Sequence, residues 1–254
     1  MRPPITGKFN RILLVFLVVI SAGGQQSDKP PATPTKPESF WDKVLRYAGI
    51  SHDASNLKAP GDEVISGSIW IANLGASATK RVSTSGGYRS PIFVPGRNAI
   101  LVLNGANVVE VDPASQKGVI RYATPSISKL VGFSLDNQDS ILVLLDRGSG
   151  RPAPGLLSMS SGKINPLPYD PASSRDLEMI EQLQSWERTY GDTSVYTKRQ
   201  SKETLYGAAE WTDVYTKQGA KPPVDVSNCD GVNCGQPSLS ADGRTIVFIR
   251  SDRN

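Results

Sequence analysis

Residues 235–254 read GQPSLSADGRTIVFIRSDRN. This segment predicts a strand, a tight turn at Asp242-Gly243, and a second, apolar strand from Ile246 to Ile249. Two weaker copies lie upstream, in residues 90–103 and 131–144. The first of these repeats the proline near the start, the Gly-Arg turn and the run of four apolar residues. Repetition of this kind predicts an architecture made of small, similar antiparallel sheets.

The spacing of the copies predicts one more. Their turns fall near residues 96, 137 and 243, and a degenerate copy is expected near Tyr190-Gly191-Asp192. Leu177, Ile180 and Leu183 recur at helical spacing and predict a short inserted helix before it, over Asp176 to Trp186. Further strand pairs are expected in each repeat: Asn107–Asp112 with Gly118–Ala123, Gly155–Ser158 with Lys163–Leu167, and Thr193–Lys198 with Thr212–Lys217. The last two segments share the motif Val-Tyr-Thr-Lys.

The two ends of the repetitive region are complementary. The chain stops after the first two strands of a repeat, whereas the region begins with what resemble the last two, Ser68–Leu74 and Lys80–Ser83. Joining the ends in one sheet would remove two open sheet edges. We therefore expect an all-β fold over residues 61–254, a small β-propeller of about four blades whose last blade combines N- and C-terminal strands. An incomplete or open array is the alternative.

The N-terminus has the pattern of a secretory signal. Three basic residues precede an unbroken apolar run, Ile12 to Ile20, and small residues follow at 21–24. This order predicts a signal peptide over residues 1–23, since the apolar run is too short to span a bilayer. An uncleaved signal anchor is the alternative, because the small residues do not form a clean Ala-x-Ala site. We expect a periplasmic or extracellular protein without an integral membrane span after signal removal.

A linker and a helix are expected between the signal and the repeats. Residues 24–38 contain four prolines among Ser, Thr and Lys, a composition typical of an extended, solvated linker. Residues 39–50 begin with Ser-Phe-Trp-Asp and end near Gly49. Their apolar residues follow helical spacing, which predicts an N-terminal helix.

The charge of the chain resides largely in its presequence. The whole chain has a formal net charge of +4, and residues 1–23 contain Arg2, Lys8 and Arg11 but no acidic residue. Their removal lowers the net charge to +1. The mature protein then has no cationic field that would attract nucleic acid, so nucleic acid is not an expected partner.

The chain contains two cysteines, in Asn-Cys229-Asp-Gly-Val-Asn-Cys234. A close pair around an Asp-Gly turn, in a protein with an export signal, predicts a structural disulfide, with two free thiols as the rival interpretation. A metal site would need more soft ligands than one His and two Cys provide.

The segment 236–253 resembles the repeat of TolB-type, WD-like β-propellers. The shared features are the Pro and Ser, the Ala-Asp-Gly turn, and the apolar strand that ends in Ser-Asp-Arg. Residues 68–74 are similar to the strand that follows this repeat in that family. The resemblance implies a periplasmic or extracytoplasmic propeller. TolB itself has more blades and a separate N-terminal domain, so a role in the Tol envelope system is not implied, and a shared fold does not supply function.

No residue pattern predicts a catalytic, metal or cofactor site. The single histidine, His52, follows the N-terminal helix in a Ser-His-Asp string, but adjacency in sequence does not make a triad. The carboxylate pairs Glu178 with Glu181 and Asp170 with Asp176 are interpreted as a helix face and a turn rather than as paired catalytic acids. Asp112, Asp136, Asp192 and Asp242 are expected at turns.

Aromatic residues give the one positive indication of function. Trp186, Tyr190 and Trp211 occur beside charged residues in the most irregular repeat and could form a recognition surface. Packing of the inserted helix explains them equally well. We interpret the chain as a non-enzymatic binding or scaffold module whose partner is a protein or glycan of the cell envelope. The alternative is a carboxylate-dependent hydrolase or lyase with its site at the mouth of the propeller channel.

Overall fold

The computed structural model describes residues 65–75, 78–134, 137–148, 151–184, 188–205 and 207–251. The signal peptide, the linker, the N-terminal helix, His52 and Trp186 lie outside the described residues, and their assignments stay predictions. So does the boundary at residue 61.

Sixteen strands and one helix make up the described part of the chain. The strands form one eight-stranded and two four-stranded antiparallel sheets. The eight-stranded sheet has two halves, which we name sheet 1 and sheet 4, so the strands fall into the four groups of four that the repeats predict. Sheet 1 contains β3 Tyr88–Phe93, β4 Ile100–Asn104, β5 Asn107–Val111 and β6 Gly118–Ala123. Sheet 2 contains β7 Ile127–Phe133, β8 Ser140–Leu145, β9 Ala153–Ser158 and β10 Ile164–Pro166. Sheet 3 contains β11 Arg188–Tyr190, β12 Thr193–Thr204, β13 Gly207–Gln218 and β14 Val224–Asp225. Sheet 4 contains β15 Cys234–Leu239, β16 Thr245–Ser251, β1 Gly67–Asn73 and β2 Thr79–Arg81.

Sheet 4 joins the two ends of the repetitive region, which confirms the expected blade. Strands β1 and β16 pair antiparallel over seven residues, and Trp70 lies opposite Phe248. Sheets 1 and 4 are also connected by the pair Gly67 and Tyr88. Arg250, next to this seam, places its guanidinium carbon 5.0 Å from the centre of the Trp70 ring. The fold therefore depends on contacts between residues about 180 positions apart in the sequence.

Glycines occupy the predicted turns of three repeats. Gly96, Gly191 and Gly243 have φ values of 71°, 60° and 69°. Only glycine adopts this region without a steric penalty, which explains why the turn of the repeat contains it. At Gly243 a Cβ atom would also lie 2.5 Å from the ring of Tyr190, so sheet 3 packs directly on this turn of sheet 4.

The first strands of sheets 1 and 4 share a bulge. Ser90 and Gln236 both have φ of 52°, both precede a proline, and the ladder shifts register at each. The side-chain oxygen of Gln236 accepts the backbone N–H of Ser90, and its amide nitrogen donates to the carbonyl of Ile65 at 2.9 Å. The proline of the repeat therefore marks a bulge at which β3 and β15 meet.

Four clusters of buried side chains show which sheets pack against each other. One joins sheets 1 and 2, one joins sheets 1 and 4, and one joins sheets 4 and 3. The fourth joins sheet 2 to α1, Ser174–Gln184, through Met179, Ile180 and Leu183. Within the described residues no such cluster contains side chains of both sheet 2 and sheet 3. The sheets thus form an open array rather than the closed ring, because α1 covers the face of sheet 2 that a further sheet would use.

Helix α1 confirms the predicted insertion and begins two residues earlier than expected. The hydroxyl of Ser173 accepts the N–H of Asp176 at 3.3 Å, and its carbonyl accepts that of Leu177 at 3.0 Å. Ser173 is therefore the N-cap residue. Glu178 and Glu181 are exposed on the outer side of the helix, as its amphipathic pattern predicts.

Strands β12 and β13 are the main departure from the expected elements. The sequence predicts strands over Thr193–Lys198 and Thr212–Lys217, whereas the structure extends them to Thr204 and back to Gly207. The prediction was wrong about their length because residues 199–204 are polar and residues 207–210 lack large apolar side chains, so these segments show no apolar alternation.

Candidate recognition surface

The repeated Val-Tyr-Thr-Lys motif brings two tyrosines together. In the β12–β13 ladder Tyr196 lies opposite Tyr215, Lys198 opposite Asp213, and Gln200 opposite Trp211. Directly opposed residues project from the same side of a sheet, and successive pairs on that side are two residues apart. We call this side of sheet 3, with Tyr196, Lys198, Gln200, Trp211 and Tyr215, the tyrosine–tryptophan face.

The rings of this face are held in place. The centres of Tyr196 and Tyr215 are 6.1 Å apart at an interplanar angle of 25°, an offset stack. The ammonium of Lys198 lies 5.1 Å from the centre of the Tyr215 ring. The side-chain amide of Gln200 donates to the Tyr215 hydroxyl at 2.6 Å. Tyr215 is thus fixed by contacts with three neighbours.

The environment of Tyr215 keeps its hydroxyl protonated. Partial burial raises the pKa of this phenol above its ordinary value, and the negative charges of Asp225 and Asp213 raise the pKa further. The hydrogen bond from Gln200 opposes these effects. Because the neutral phenol is favoured, the hydroxyl keeps its proton and remains a potential hydrogen-bond donor.

Trp211 is oriented by a buried carboxylate. Its indole N–H donates to Oδ2 of Asp213 at 2.8 Å. Oδ1 of Asp213 accepts the backbone N–H of Cys229 at 2.9 Å and the hydroxyl of Ser227 at 3.3 Å. Asp213 is only 4% exposed, and these three donors provide hydrogen bonds to both of its carboxylate oxygens. A continuous set of hydrogen bonds therefore connects the loop at Cys229 to the indole ring.

The loop between β14 and β15 contains the predicted disulfide, which the structure confirms. Cys229 and Cys234 are bonded, with their Cα atoms 6.3 Å apart. Thr212 on β13 also fixes this loop, since its N–H donates to the side chain of Asn233 at 3.1 Å and its hydroxyl to the carbonyl of Cys234 at 2.8 Å. The disulfide loop is therefore the support on which Trp211 is positioned.

The two aromatic candidates that the structure describes, Tyr190 and Trp211, do not lie together. Trp186 is outside the described residues. Tyr190 is 50% exposed at the β11–β12 turn, where its strand pairs next to Thr193 and Gln218. Trp211 lies seven residues before Gln218 on β13, which is a distance of about 23 Å along the strand. This register does not place Tyr190 and Trp211 side by side. A recognition surface that includes them stays a prediction.

Sequence reasoning missed the two tyrosines that accompany Trp211. The repeated motif was a usable signal, since two identical segments joined by a hairpin tend to pair with each other. Their register, however, depends on where the hairpin turns, which is after Thr204 and before Gly207, between the polar halves of the strands. That position could not be read from an apolar pattern.

A separate cleft of about 570 Å³ lies between sheets 1 and 2. Its charged groups have partners within the chain. Glu110 accepts from Arg121 at 2.9 Å and lies 3.5 Å from Arg97, and the bond with Glu110 raises the pKa of Arg121 above its ordinary value. Asp139 accepts the hydroxyls of Ser158 and Ser160 at 2.9 and 2.8 Å. Since these charges are already balanced, the cleft offers little to an ionic ligand.

The carboxylates at turns stabilise the turns. The backbone N–H of Ala114, and then the hydroxyl of Ser115, lower the pKa of Asp112. The hydroxyl of Ser240, and then the N–H of Arg244, lower the pKa of Asp242. Asp176 accepts the N–H of Asp170 at 2.8 Å, which accounts for that pair as a local turn. The lowered pKa values of Asp112 and Asp242 favour the ionised form, the reverse of what a catalytic acid requires.

Two further findings concern metals and membranes. The described residues include no group of three or more His, Cys, Asp or Glu side chains that could hold a metal ion. The helix in the described part of the chain lacks the length and hydropathy of a membrane span.

Comparison with known proteins gives distant structural neighbours. No family model matches the chain, and no curated protein matches it either. The putative TolB from Agrobacterium tumefaciens is 16% identical, with a TM-score of 0.34, over 73% of this chain and 62% of that one. TolB from Acinetobacter baumannii is 14% identical, with a TM-score of 0.34, over 74% and 49%. The AtxE2 isopeptidase is 12% identical, with a TM-score of 0.27, over 70% and 35%. The chain thus spans less than two thirds of the length of each, and two of the three are TolB structures, the family that residues 236–253 resemble.

Proposed function

We propose that this chain is an extracytoplasmic, non-enzymatic binding module that recognises a glycan of the cell envelope on the tyrosine–tryptophan face. The observation that carries the proposal is the fixed set of aromatic rings on this face. None of the four buried clusters includes Tyr215 or Trp211, so packing in these clusters does not account for the two rings.

The chemistry of the face favours a saccharide. Aromatic rings present flat apolar surfaces on which the C–H groups of a pyranose ring can stack, and rings held in advance cost little entropy on binding. The Gln200 amide, the Lys198 ammonium and the tyrosine hydroxyls surround these rings with donors and acceptors for sugar hydroxyls. A cationic ligand suits the face less well, because Lys198 already places a positive charge over Tyr215.

The extracytoplasmic location rests on two features. The first is the signal-peptide pattern of residues 1–23, and the second is the disulfide, a bond that persists in oxidising compartments.

Cleavage near residue 23 is the expected consequence of export. N-terminal sequencing of protein recovered from the periplasm or the medium should give a chain that begins close to residue 24. The matched control replaces Val15 and Leu17 with Asp, which interrupts the apolar run and should leave uncleaved protein inside the cell. An intact N-terminus on exported, membrane-associated protein would instead identify a signal anchor.

Replacing Trp211 with alanine should weaken glycan binding about two- to tenfold, since one aromatic contact contributes about 0.5–1.5 kcal/mol. The measurement is a screen of the mature protein against oligosaccharides released from peptidoglycan and lipopolysaccharide cores, followed by titration calorimetry with the tightest oligosaccharide. Tyr190→Ala is the matched control, because Tyr190 is an exposed aromatic of the same sheet at its opposite end.

Two results would count against the proposal. If no oligosaccharide binds, glycan recognition is wrong. If binding survives Trp211→Ala and is lost with Tyr190→Ala, recognition belongs to the turn end of sheet 3 instead.

A further inference from the structure

Strands β12 and β13 continue as a two-stranded ribbon beyond the rest of sheet 3. Their ladder runs from Thr193 opposite Gln218 to Thr204 opposite Gly207. Strand β11 pairs only with Thr193–Val195, and β14 pairs only with Tyr215 and Thr216. We call residues 199–204 and 207–212 the distal ribbon. Most of its residues are exposed, and Leu205 at its tip is 98% exposed.

Such a ribbon is not expected to be stable by itself. An isolated pair of strands is marginal in water, and a third strand or a packed face is needed for stability. The distal ribbon contains almost no apolar side chain that could form a core. Its outer edge on β12 carries charged side chains but contains no proline or bulge, so the edge can still accept another strand if the charges are matched.

The direction of the backbone groups on β12 follows from its partner. The N–H groups of Thr212 and Val214 on β13 point away from β12, since they donate to Asn233 and Ser227. In an antiparallel ladder, two opposed residues direct their backbone N–H and C=O groups either both toward the partner strand or both away from it. The two kinds of pair alternate along the strand. The residues opposite Thr212, Glu210 and Ala208 therefore direct their N–H and C=O groups outward. These residues are Arg199, Ser201 and Glu203.

This edge is complementary to itself. If a second copy approaches antiparallel, with a two-fold axis at Ser201, then Ser201 pairs with the same residue of the copy and Arg199 pairs with Glu203. Each of these pairs consists of outward-directed residues and can exchange two backbone hydrogen bonds, and Arg199 and Glu203 carry opposite charges. The pairing places no like charges opposite each other, since Gln200 meets Lys202 and Lys198 meets Thr204.

We propose that the outer edge of β12, from Arg199 to Glu203, is a homodimer interface in which two distal ribbons form one four-stranded antiparallel sheet. Arg199 is available for this pairing, because its intrachain partner Glu210 is 4.0 Å away and both side chains are about 60% exposed. Arg199 and Glu203 project from the side of the ribbon opposite the tyrosine–tryptophan face. The dimer therefore leaves that face open, and it does not depend on the proposed function.

Charge reversal tests the pairing. Sedimentation equilibrium of the mature protein should show a concentration-dependent dimer. Glu203→Arg places Arg opposite Arg199 at both symmetric positions and should raise the dissociation constant about tenfold or more. The double variant Arg199→Glu with Glu203→Arg restores opposite charges and should return the dissociation constant close to the wild-type value.

A second pair of variants tests the backbone contribution. Ser201→Pro removes an outward N–H without removing a bond of the β12–β13 ladder, so it should abolish the dimer while circular dichroism stays unchanged. Ser201→Ala is the matched control and should still dimerise. The proposal is wrong if the wild-type protein is monomeric at all concentrations, if the double reversal fails to restore the dimer, or if Ser201→Pro dimerises normally.

Discussion

Replacing Phe248 with alanine is expected to lower the free energy of unfolding by about 3–5 kcal/mol, the usual cost of removing a buried aromatic side chain. Phe248 is fully buried in the cluster that joins sheets 4 and 3, and it lies opposite Trp70 across the seam between β16 and β1. The substitution therefore opens a cavity where the two ends of the repetitive region meet. Equilibrium urea denaturation of the mature, oxidised protein measures the loss.

Ile120→Ala is the control for this substitution. Ile120 also lies in a strand, on β6, but its side chain is 62% exposed. Its replacement should change the free energy of unfolding by no more than about 0.5 kcal/mol. If both variants lose the same free energy of unfolding, the Phe248 side chain of β16 does not contribute to the core between sheets 4 and 3.

Removing the disulfide is expected to cost about 2 kcal/mol. Cys229 and Cys234 are five positions apart, and closing so short a loop restricts the unfolded chain by about that amount. The variant is Cys229→Ala with Cys234→Ala, measured by the same denaturation. The near-ultraviolet circular dichroism of Trp211 should also change, because the Cys229 N–H holds the Asp213 carboxylate that orients the indole.

Two comparisons separate the disulfide from other effects. Wild-type protein treated with a phosphine reductant should lose about the same stability as the double variant. Asp230→Asn changes an exposed residue of the same loop whose φ of 39° asparagine tolerates, so it should leave stability unchanged. Reduced protein that unfolds at the same urea concentration as oxidised protein would show that the loop is held by its hydrogen bonds alone.

The parts of the fold that the sequence predicts are those with both a turn signal and an apolar strand. Gly96 and Gly243 each precede an apolar run, and both strands lie where expected. The join between β1 and β16 was also predictable, because each end of the region carried half of a repeat. In these cases local chemistry and burial point to the same structure.

The candidate surface was less predictable, because it depends on register. Trp211 could be selected as an aromatic residue beside charges, but its neighbours Tyr215 and Gln200 are determined by a hairpin whose outer half is polar. The closed ring was expected from the repeat number and from the complementary ends of the repetitive region. The sequence does not indicate that α1 packs on sheet 2, because Ile180 and Leu183 could have covered the apolar face of another sheet.

The seam between β1 and β16 has a consequence for biogenesis. Strand β1 leaves the ribosome early, whereas β16 is among the last described segments to be synthesised. Sheet 4 cannot be completed until residue 251 has emerged, so β1 lacks its partner β16 throughout translation. If the chain is exported as proposed above, this delay keeps sheet 4 incomplete while the polypeptide is translocated. It also means that premature termination would remove the strand that completes sheet 4, and such products should be degraded rather than accumulate.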